Sequence, residues 1–274
     1  EVLEPTVATY NAYAAGLLTD HGLRIGHEPD TRVITDAARY QLGARAVDRF
    51  TGDIQHLTDH PETAIQGLLA LDGAMSEHLT GPAEVLAFDA DARRGFLRAL
   101  AQEQAEKNRK TYVDAIEKAI HAIDRRAELL QLVASYRRLK ADLGLMDFSD
   151  QIELGARLAQ ERPEVGAVER GRFKVVLLDE YQDTSVAQAI MLSRLFSGPT
   201  DDTGRGHAVT AVGDPNQAIY GWRGASVANI LNFAETFPAA RGGVPVLPLT
   251  VNRRSDARIL DLANVLARPL YDAF

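Results

Sequence analysis

Two adjacent carboxylates, Asp179 and Glu180, close the apolar run Lys174-Val175-Val176-Leu177-Leu178, and Tyr181, Gln182 and Asp183 follow at once. Further on the chain reads Gly213-Asp214-Pro215-Asn216-Gln217-Ala218-Ile219-Tyr220-Gly221-Trp222-Arg223-Gly224-Ala225. An apolar run of the first kind is expected as a buried parallel strand, and open α/β sheets bind ligands at the carboxyl ends of such strands. There one carboxylate can hold Mg²⁺ while its neighbour polarises a water for attack on a phosphate; an amide such as Gln217 can orient that water or sense a γ-phosphate. The chemistry implied is nucleotide hydrolysis. An Asp-Glu pair also suits a merely solvated strand end, so the weight rests on a second strand tip, Gly213-Asp214, facing the same pocket.

Tyr220, Trp222 and Arg223 stand between glycines, an arrangement that can present an aromatic and a cation to an unpaired base and its phosphates, although a lone tryptophan equally suits a core. Asn252-Arg253-Arg254-Ser255 places two cations where a helix opens; the helix dipole disfavours cations there, so a phosphate partner is the better reason for them. Residues 93–140 hold twelve Lys or Arg against six Asp or Glu, which reads as a solvated helix face or as a DNA-backbone contact. His56 and His60 have the spacing of helical metal ligands, but no acidic or sulfur partner completes a site. No glycine precedes a lysine, so the phosphate-gripping loop of P-loop proteins is absent from this stretch.

These groups need elements to hold them. Strands expected at 174–179, 208–213 and 244–250 alternate with helices at about 185–196, 226–236 and 255–267, the pattern of right-handed crossovers in a parallel sheet. Residues 31–143 show long helical periodicity and no convincing strand. Gly144 is expected to stop the last of these helices and Asp147 to cap the next. Residues 6–18 read as a strand end running into a helix, which makes the helical block an insertion in an α/β domain. The 274 residues, 46% hydrophobic and 25% charged, suit a folded globular protein. Neither a membrane span nor a leader is legible, zero cysteines exclude disulfides and thiolate metal sites, and the reading is intracellular and cytoplasmic. A net charge of −8 excludes a uniformly basic nucleic-acid binder but not a local groove. Abundant Ala, Arg and Gly match a GC-rich bacterial genome.

Together, Asp179 to Thr184, Val212 to Ala225 and Leu249 to Ser255 resemble motifs II, III and IV of the UvrD/Rep/PcrA branch of superfamily 1 DNA helicases, which also takes in RecB-like enzymes. Asp147-Phe148-Ser149-Asp150-Gln151 resembles the Asp-Phe-x-Asp stretch before motif II, and Thr6 to Tyr13 is similar to the family's Thr-Phe-His-Ser segment. The resemblance implies an α/β fold: an incomplete parallel-sheet RecA-like core of the P-loop NTPase type with an inserted all-helical subdomain. Residues 1–24 and 145–250 would form the first core domain, 25–144 the insertion, and 251–274 the start of a second core domain. It implies ATP and Mg²⁺ as cofactors, with Asp179 on the metal, Glu180 as general base, Gln217 and Arg254 on the γ-phosphate, and Arg253 beside the adenine, where the family has tyrosine. Tyr220, Trp222, Arg223, Thr9 and Tyr10 would touch DNA, with Asn11 standing where the family has histidine. The implied activity is ATP-driven 3′–5′ translocation and unwinding in repair or recombination, on single-stranded and duplex DNA, with a helicase or nuclease partner subunit and no membrane. Without the phosphate loop and motifs V and VI, this piece alone is expected to be inactive. Two other readings stay open: a non-catalytic DNA-binding or docking module with a degenerate ATP site, and a metal-dependent phosphohydrolase built on Asp179 and Glu180.

Overall fold

The computed structural model describes residues 4–28, 30–58, 60–221 and 224–271. Its elements run α1 (Tyr10–His21), β1 (Arg32–Val33), α2 (Asp36–Asp48), α3 (Pro61–His78), α4 (Pro82–Glu106), α5 (Lys110–Asp142), β2 (Leu145–Met146), α6 (Phe148–Glu161), α7 (Pro163–Arg172), β3 (Val175–Leu178), α8 (Val186–Phe196), β4 (Ala208–Ala211), the short α9 (Ala228–Leu231) and α10 (Phe233–Thr236), and α11 (Ala257–Tyr271). Local chemistry sets many boundaries. The Thr9 hydroxyl accepts from the Ala12 N–H and opens α1; Pro61, Pro82 and Pro163 supply the fixed φ of a first helical turn. Gly144, at φ +59°, ends the chain's longest helix in the left-handed region that glycine enters at little cost. Three residues on, the Asp147 carboxylate accepts from the Ser149 and Asp150 N–H groups and starts α6.

Two hydrophobic cores result. One joins Ala14, Leu17 and Leu18 of α1, Ile152, Ala156 and Leu158 of α6, and Met191, Leu192 and Leu195 of α8, with Leu178 and Tyr181 at their edge. The other joins Leu42 and Ala46 of α2, Leu68 and Met75 of α3, and Leu132, Val133 and Tyr136 of α5. β3 and β4 pair in parallel, Val175 opposite Ala208 and Leu178 opposite Ala211. The structure is thus mostly helical with small parallel sheets.

Five sequence expectations are corrected. Residues 244–250 form no strand: Val246, Leu247 and Leu249 are exposed and no described strand lies beside them to supply a ladder. An isolated strand makes no inter-strand hydrogen bonds, so periodicity alone does not create one. β3 is covered on one face only; Val175 and Leu177 stay exposed because no described element packs over them. Residues 6–9 lead into the α1 cap without strand pairing. The helical stretch is not strand-free either: β1 pairs with β2 in parallel, Arg32 opposite Leu145, so the chain enters and leaves α2–α5 through adjacent points. His56 and His60 lie outside any helix, His60 at the position just before α3 with no capping bond from its side chain. Among the described residues no helix is long and apolar enough to cross a membrane.

A buried ion cluster joins the two cores. The Lys140 ammonium of α5, almost wholly buried, reaches Asp72 of α3 at 3.2 Å, Asp147 at 3.2 Å and Asp150 of α6 at 2.7 Å. Arg39 adds an ion pair to Asp147 at 3.1 Å, and Arg137 pairs with Asp72 at 2.5 Å and with Glu153 at 3.2 Å. Asp72, Asp147 and Asp150 are close enough to hold a metal ion, but the lysine already supplies their cation. Burial alone would lower the Lys140 pKa; the charges of Asp72, Asp150 and Asp147 outweigh it and raise it. Four carboxylates face three cations here. Asp150 shows the deficit: burial pushes it up to about 6, against the pull of Lys140. A carboxyl raised in the folded state favours folding most in acid and loses that contribution as the pH climbs through about 6.

Lys140→Met leaves three buried carboxylates without their shared cation and is expected to cost about 3–5 kcal/mol at neutral pH. Protons then replace the ammonium, so the cost shrinks at about pH 5. Urea unfolding at both pH values measures it; an equal cost at both, or none, contradicts the cluster.

Candidate functional site

β3 stops one residue before Asp179, and the backbone turns sharply there: among the described residues Glu180 is one of three non-glycine residues at positive φ, +49°. The turn is fixed on both sides. The Asp179 carboxylate accepts from the Glu180 N–H at 3.1 Å, and the Tyr10 hydroxyl donates to the Asp179 carbonyl at 3.0 Å. The Tyr181 N–H then reaches the Val212 carbonyl at the end of β4, at 3.0 Å, which ties the two strand tips together. Burial, with Tyr181, Asp179 and Glu180 nearby, raises the Tyr10 phenol well above its ordinary pKa. The Tyr181 hydroxyl is buried without a hydrogen-bond partner.

Gln182, about 1% exposed, organises the acidic end. Its amide nitrogen donates to Glu180 Oε2 at 2.7 Å and to Asp183 Oδ2 at 3.2 Å, and its oxygen accepts from the Asp214 N–H at 3.2 Å. Gln217, in the 3₁₀ turn Pro215–Gln217, donates from its own amide to Asp214 Oδ2 at 2.8 Å. A continuous hydrogen-bonded chain therefore runs Glu180, Gln182, Asp214, Gln217. Gly213 is required beside it, because a Cβ there would collide with the Gln182 amide oxygen. Asp179 and Glu180 remain exposed at the surface of this assembly. Two exposed carboxylates with an amide alongside can bind a hard divalent cation and orient a water.

Other residues named from sequence lie elsewhere. Arg253 and Arg254 sit on an exposed turn, where Asn252 Oδ1 accepts the Arg254 and Ser255 N–H groups at 2.9 Å each. With residues 244–250 unpaired, no third strand carries these guanidinium groups to the β3 and β4 tips, which corrects the three-strand expectation. Trp222 and Arg223 lie outside the described residues. Thr9 is exposed at the α1 cap and Tyr10 is half-buried beneath Asp179. The basic stretch 93–140 is partly neutralised: Arg93, Arg94, Arg109, Arg126 and Arg137 form ion pairs with Asp124, Asp91, Glu103, Asp89 and Asp72, and Lys140 with its three aspartates.

Beside the acidic turn lies a pocket of about 390 Å³, bordered by Asn11, Glu77, Phe148, Asp183, Gln188 and Tyr220. The Asn11 amide nitrogen donates to the Phe148 carbonyl at 2.9 Å, and the Gln188 amide oxygen accepts from the Ser185 N–H at 3.0 Å. Glu77 arrives from α3, on the far side of the ion cluster. Gly224, at φ +79°, packs so closely on it that a Cβ would lie 2.7 Å from Glu77 Cβ. Burial raises the Glu77 carboxyl, and the hydroxyls of Ser185 and Ser149 offset this only in part. Sequence reasoning gave Gln182 no role and missed Glu77 and Gln188. Only the adjacency of Gln182 to Asp-Glu hinted at the first; nothing local to Glu77 marks it.

The family model described as UvrD/REP helicase N-terminal domain matches residues 2–238. DNA helicase II of Escherichia coli (strain K12) is 41% identical over 123 residues, covering 45% of this chain and 16% of that protein. The ATP-dependent DNA helicase PcrA of Leuconostoc citreum is 40% identical over 121 residues, 44% of this chain and 15% of that protein. PcrA of Staphylococcus aureus (strain Mu50 / ATCC 700699) is 34% identical over 172 residues, 62% of this chain and 21% of that protein. The chain thus spans well under a third of the length of these relatives.

Gln182→Ala strips three groups of one shared partner and is expected to lower stability by about 2 kcal/mol. Chemical denaturation followed by circular dichroism reads this; a midpoint equal to wild type refutes the bridging role.

Proposed function

This chain belongs to the UvrD/REP helicase N-terminal domain family, and from that premise we propose that it is a piece of an ATP-dependent DNA helicase. In this reading the parent protein couples ATP hydrolysis to 3′–5′ movement along single-stranded DNA and to unwinding of duplex, in repair or recombination. It works in the cytoplasm beside a helicase or nuclease partner subunit. Residues 1–24 and 145–250 belong to a RecA-like core, 25–144 to a helical insertion, and 251–274 to the start of a second core domain.

The hydrogen-bonded chain from Glu180 through Gln182 and Asp214 to Gln217 carries the reading. It makes the acidic pair and the amide one mechanical unit next to a pocket flanked by Phe148 and Tyr220, as coupling of nucleotide state to a DNA strand requires. Fit to Mg²⁺-ATP is supported on one side: among the described residues Asp179 Oδ2 and Glu180 Oε1 keep no protein hydrogen bond, leaving hard oxygen donors free. The phosphate-gripping side is absent, since no glycine precedes a lysine. When bound, Mg²⁺-ATP supplies an electrophilic γ-phosphoryl group with its charge screened. Asp179 would hold the metal. Glu180, held on its left-handed turn by Gln182, would accept the proton of the attacking water at its free carboxylate oxygen. Gln217 would report on the γ-phosphate through its bond to Asp214, and Arg254 would meet that phosphate on closure of the second core domain, with Arg253 stacking on the adenine. Tyr220, Trp222, Arg223, Thr9 and Tyr10 are assigned to DNA.

In the full-length protein, Glu180→Gln is expected to lower DNA-stimulated ATP hydrolysis at least about 100-fold, while the 274-residue chain alone turns over none. Hydrolysis by the isolated chain, or an unimpaired Glu180→Gln protein, overturns the assignment. A full-length protein that binds single-stranded DNA without hydrolysing ATP points instead to the non-catalytic module.

A further inference from the structure

Three segments meet at Ser185. It follows the acidic turn that starts at Asp179, it caps α8, and it forms an antiparallel bridge with Ala225. Further bonds fasten this junction to the loop after Tyr220: the Ser226 N–H reaches the Thr184 carbonyl at 3.0 Å, and the Asn229 amide nitrogen donates to the same carbonyl at 2.9 Å. The Ser185 hydroxyl accepts from the Gln188 N–H at 3.2 Å, which leaves its hydrogen for the Glu77 carboxylate. Glu77 belongs to α3, in the helical block. Ser149, in the first turn of α6, donates to it at 3.4 Å. The Gly224 backbone lies against its stem, where a Cβ would sit 2.7 Å from Glu77 Cβ and 3.1 Å from Cγ. α3 is itself held on α6 by the Lys140 cluster and by Ser76, which donates to Glu153 at 2.5 Å. A shift of α3 must therefore carry the Ser185 junction and the loop with it, or break these bonds.

We propose that Glu77 is a positioning residue: through the Ser185 junction it seats the loop from Tyr220 to Ser226 against the acidic turn, and so makes the helical block part of the path by which DNA accelerates ATP hydrolysis. Its carboxylate is spent on two hydroxyls within the protein, and its effect on the reaction passes through the groups it holds. Burial works against its charge, and the hydroxyls of Ser185 and Ser149 offset this ahead of His78. The site therefore calls for acceptor oxygens at a set distance from α3, beyond the Gly224 contact, and not for a negative charge as such. Reach and charge can be separated. Glutamine keeps the reach and an acceptor oxygen but loses the charge; aspartate keeps the charge but stops one methylene short of the hydroxyls.

The inference rests on the helicase reading above, and one experiment separates the two. In the full-length protein, ATP hydrolysis is measured without DNA and at saturating single-stranded DNA for wild type, Glu77→Gln and Glu77→Asp, well below the melting temperature of each as read by circular dichroism. Lost stability alone lowers the melting temperature and leaves the ratio of the two rates unchanged. Glu77→Gln is expected to keep the wild-type ratio within about twofold, and Glu77→Asp to lower it about fivefold or more. A wild-type ratio in Glu77→Asp overturns the role of Glu77 and leaves the helicase reading intact. A loss in Glu77→Gln as large as that in Glu77→Asp overturns it as well, since charge would then be the requirement. Hydrolysis that DNA does not stimulate in the wild type removes the helicase reading and this inference with it.

Discussion

Lys140 is surrounded by Asp72, Asp147 and Asp150, and that one ammonium decides where the helical block sits. α3 carries the first carboxylate, α5 the lysine, and the N-terminal turn of α6 the other two. Asp147 does double duty: the same carboxylate caps α6 through the Ser149 and Asp150 N–H groups and takes the ion pairs of Lys140 and Arg39. Helix start and inter-core contact are therefore set by one group. Desolvating so many charges is expensive, and an apolar cluster of the same volume would be at least as stable. What the charges add is register. Sliding α3 along α6 by one turn would leave buried carboxylates unpaired, whereas an apolar contact would tolerate the shift.

Register matters because of what hangs from it. Ser76 and Glu77 follow Asp72 by about one turn. Ser76 donates to Glu153 of α6 at 2.5 Å, and Glu77 meets Ser149 and the backbone at Gly224. The pocket wall is thus assembled from α1, α3, α6, α8 and the loop that holds Tyr220. Opposite it, Gln182 links the end of β3 to the end of β4. Two buried polar hubs thus flank the candidate site: Lys140 fixes α3 against α6, and Gln182 links the two strand tips.

Much of this was legible locally. Gly144 as a stop and Asp147 as a cap depend on a few neighbouring residues, and both hold in the structure. Of the segments that suggested the family, residues 6–13, 147–151, 179–184 and 212–225 lie within the matched region 2–238, and residues 249–255 lie beyond it. What failed needed a partner that sequence does not display. The 244–250 stretch has strand-like residues but no neighbouring edge, and the apolar Val175 and Leu177 predict a cover that no described element provides. The basic count over 93–140 overstated free charge because acids outside that window, Asp72, Asp89, Asp91, Asp147 and Asp150, neutralise part of it. Glu77 and Gln182 owe their positions to contacts 72 and 32 residues away in sequence, which no local pattern encodes.

The central claim is that Gln182 makes the acidic pair and the Gln217 turn a single unit through which nucleotide and DNA communicate. The direct test is the ATP hydrolysis rate of the full-length protein with and without single-stranded DNA, compared between wild type and Gln182→Met, which keeps the volume and loses the hydrogen bonds. The account predicts that the ratio of the DNA-stimulated to the DNA-free rate falls about tenfold or more in the variant, whatever DNA-free rate is lost through Glu180, the scale of a ~1–3 kcal/mol coupling. Stimulation equal to wild type would contradict it.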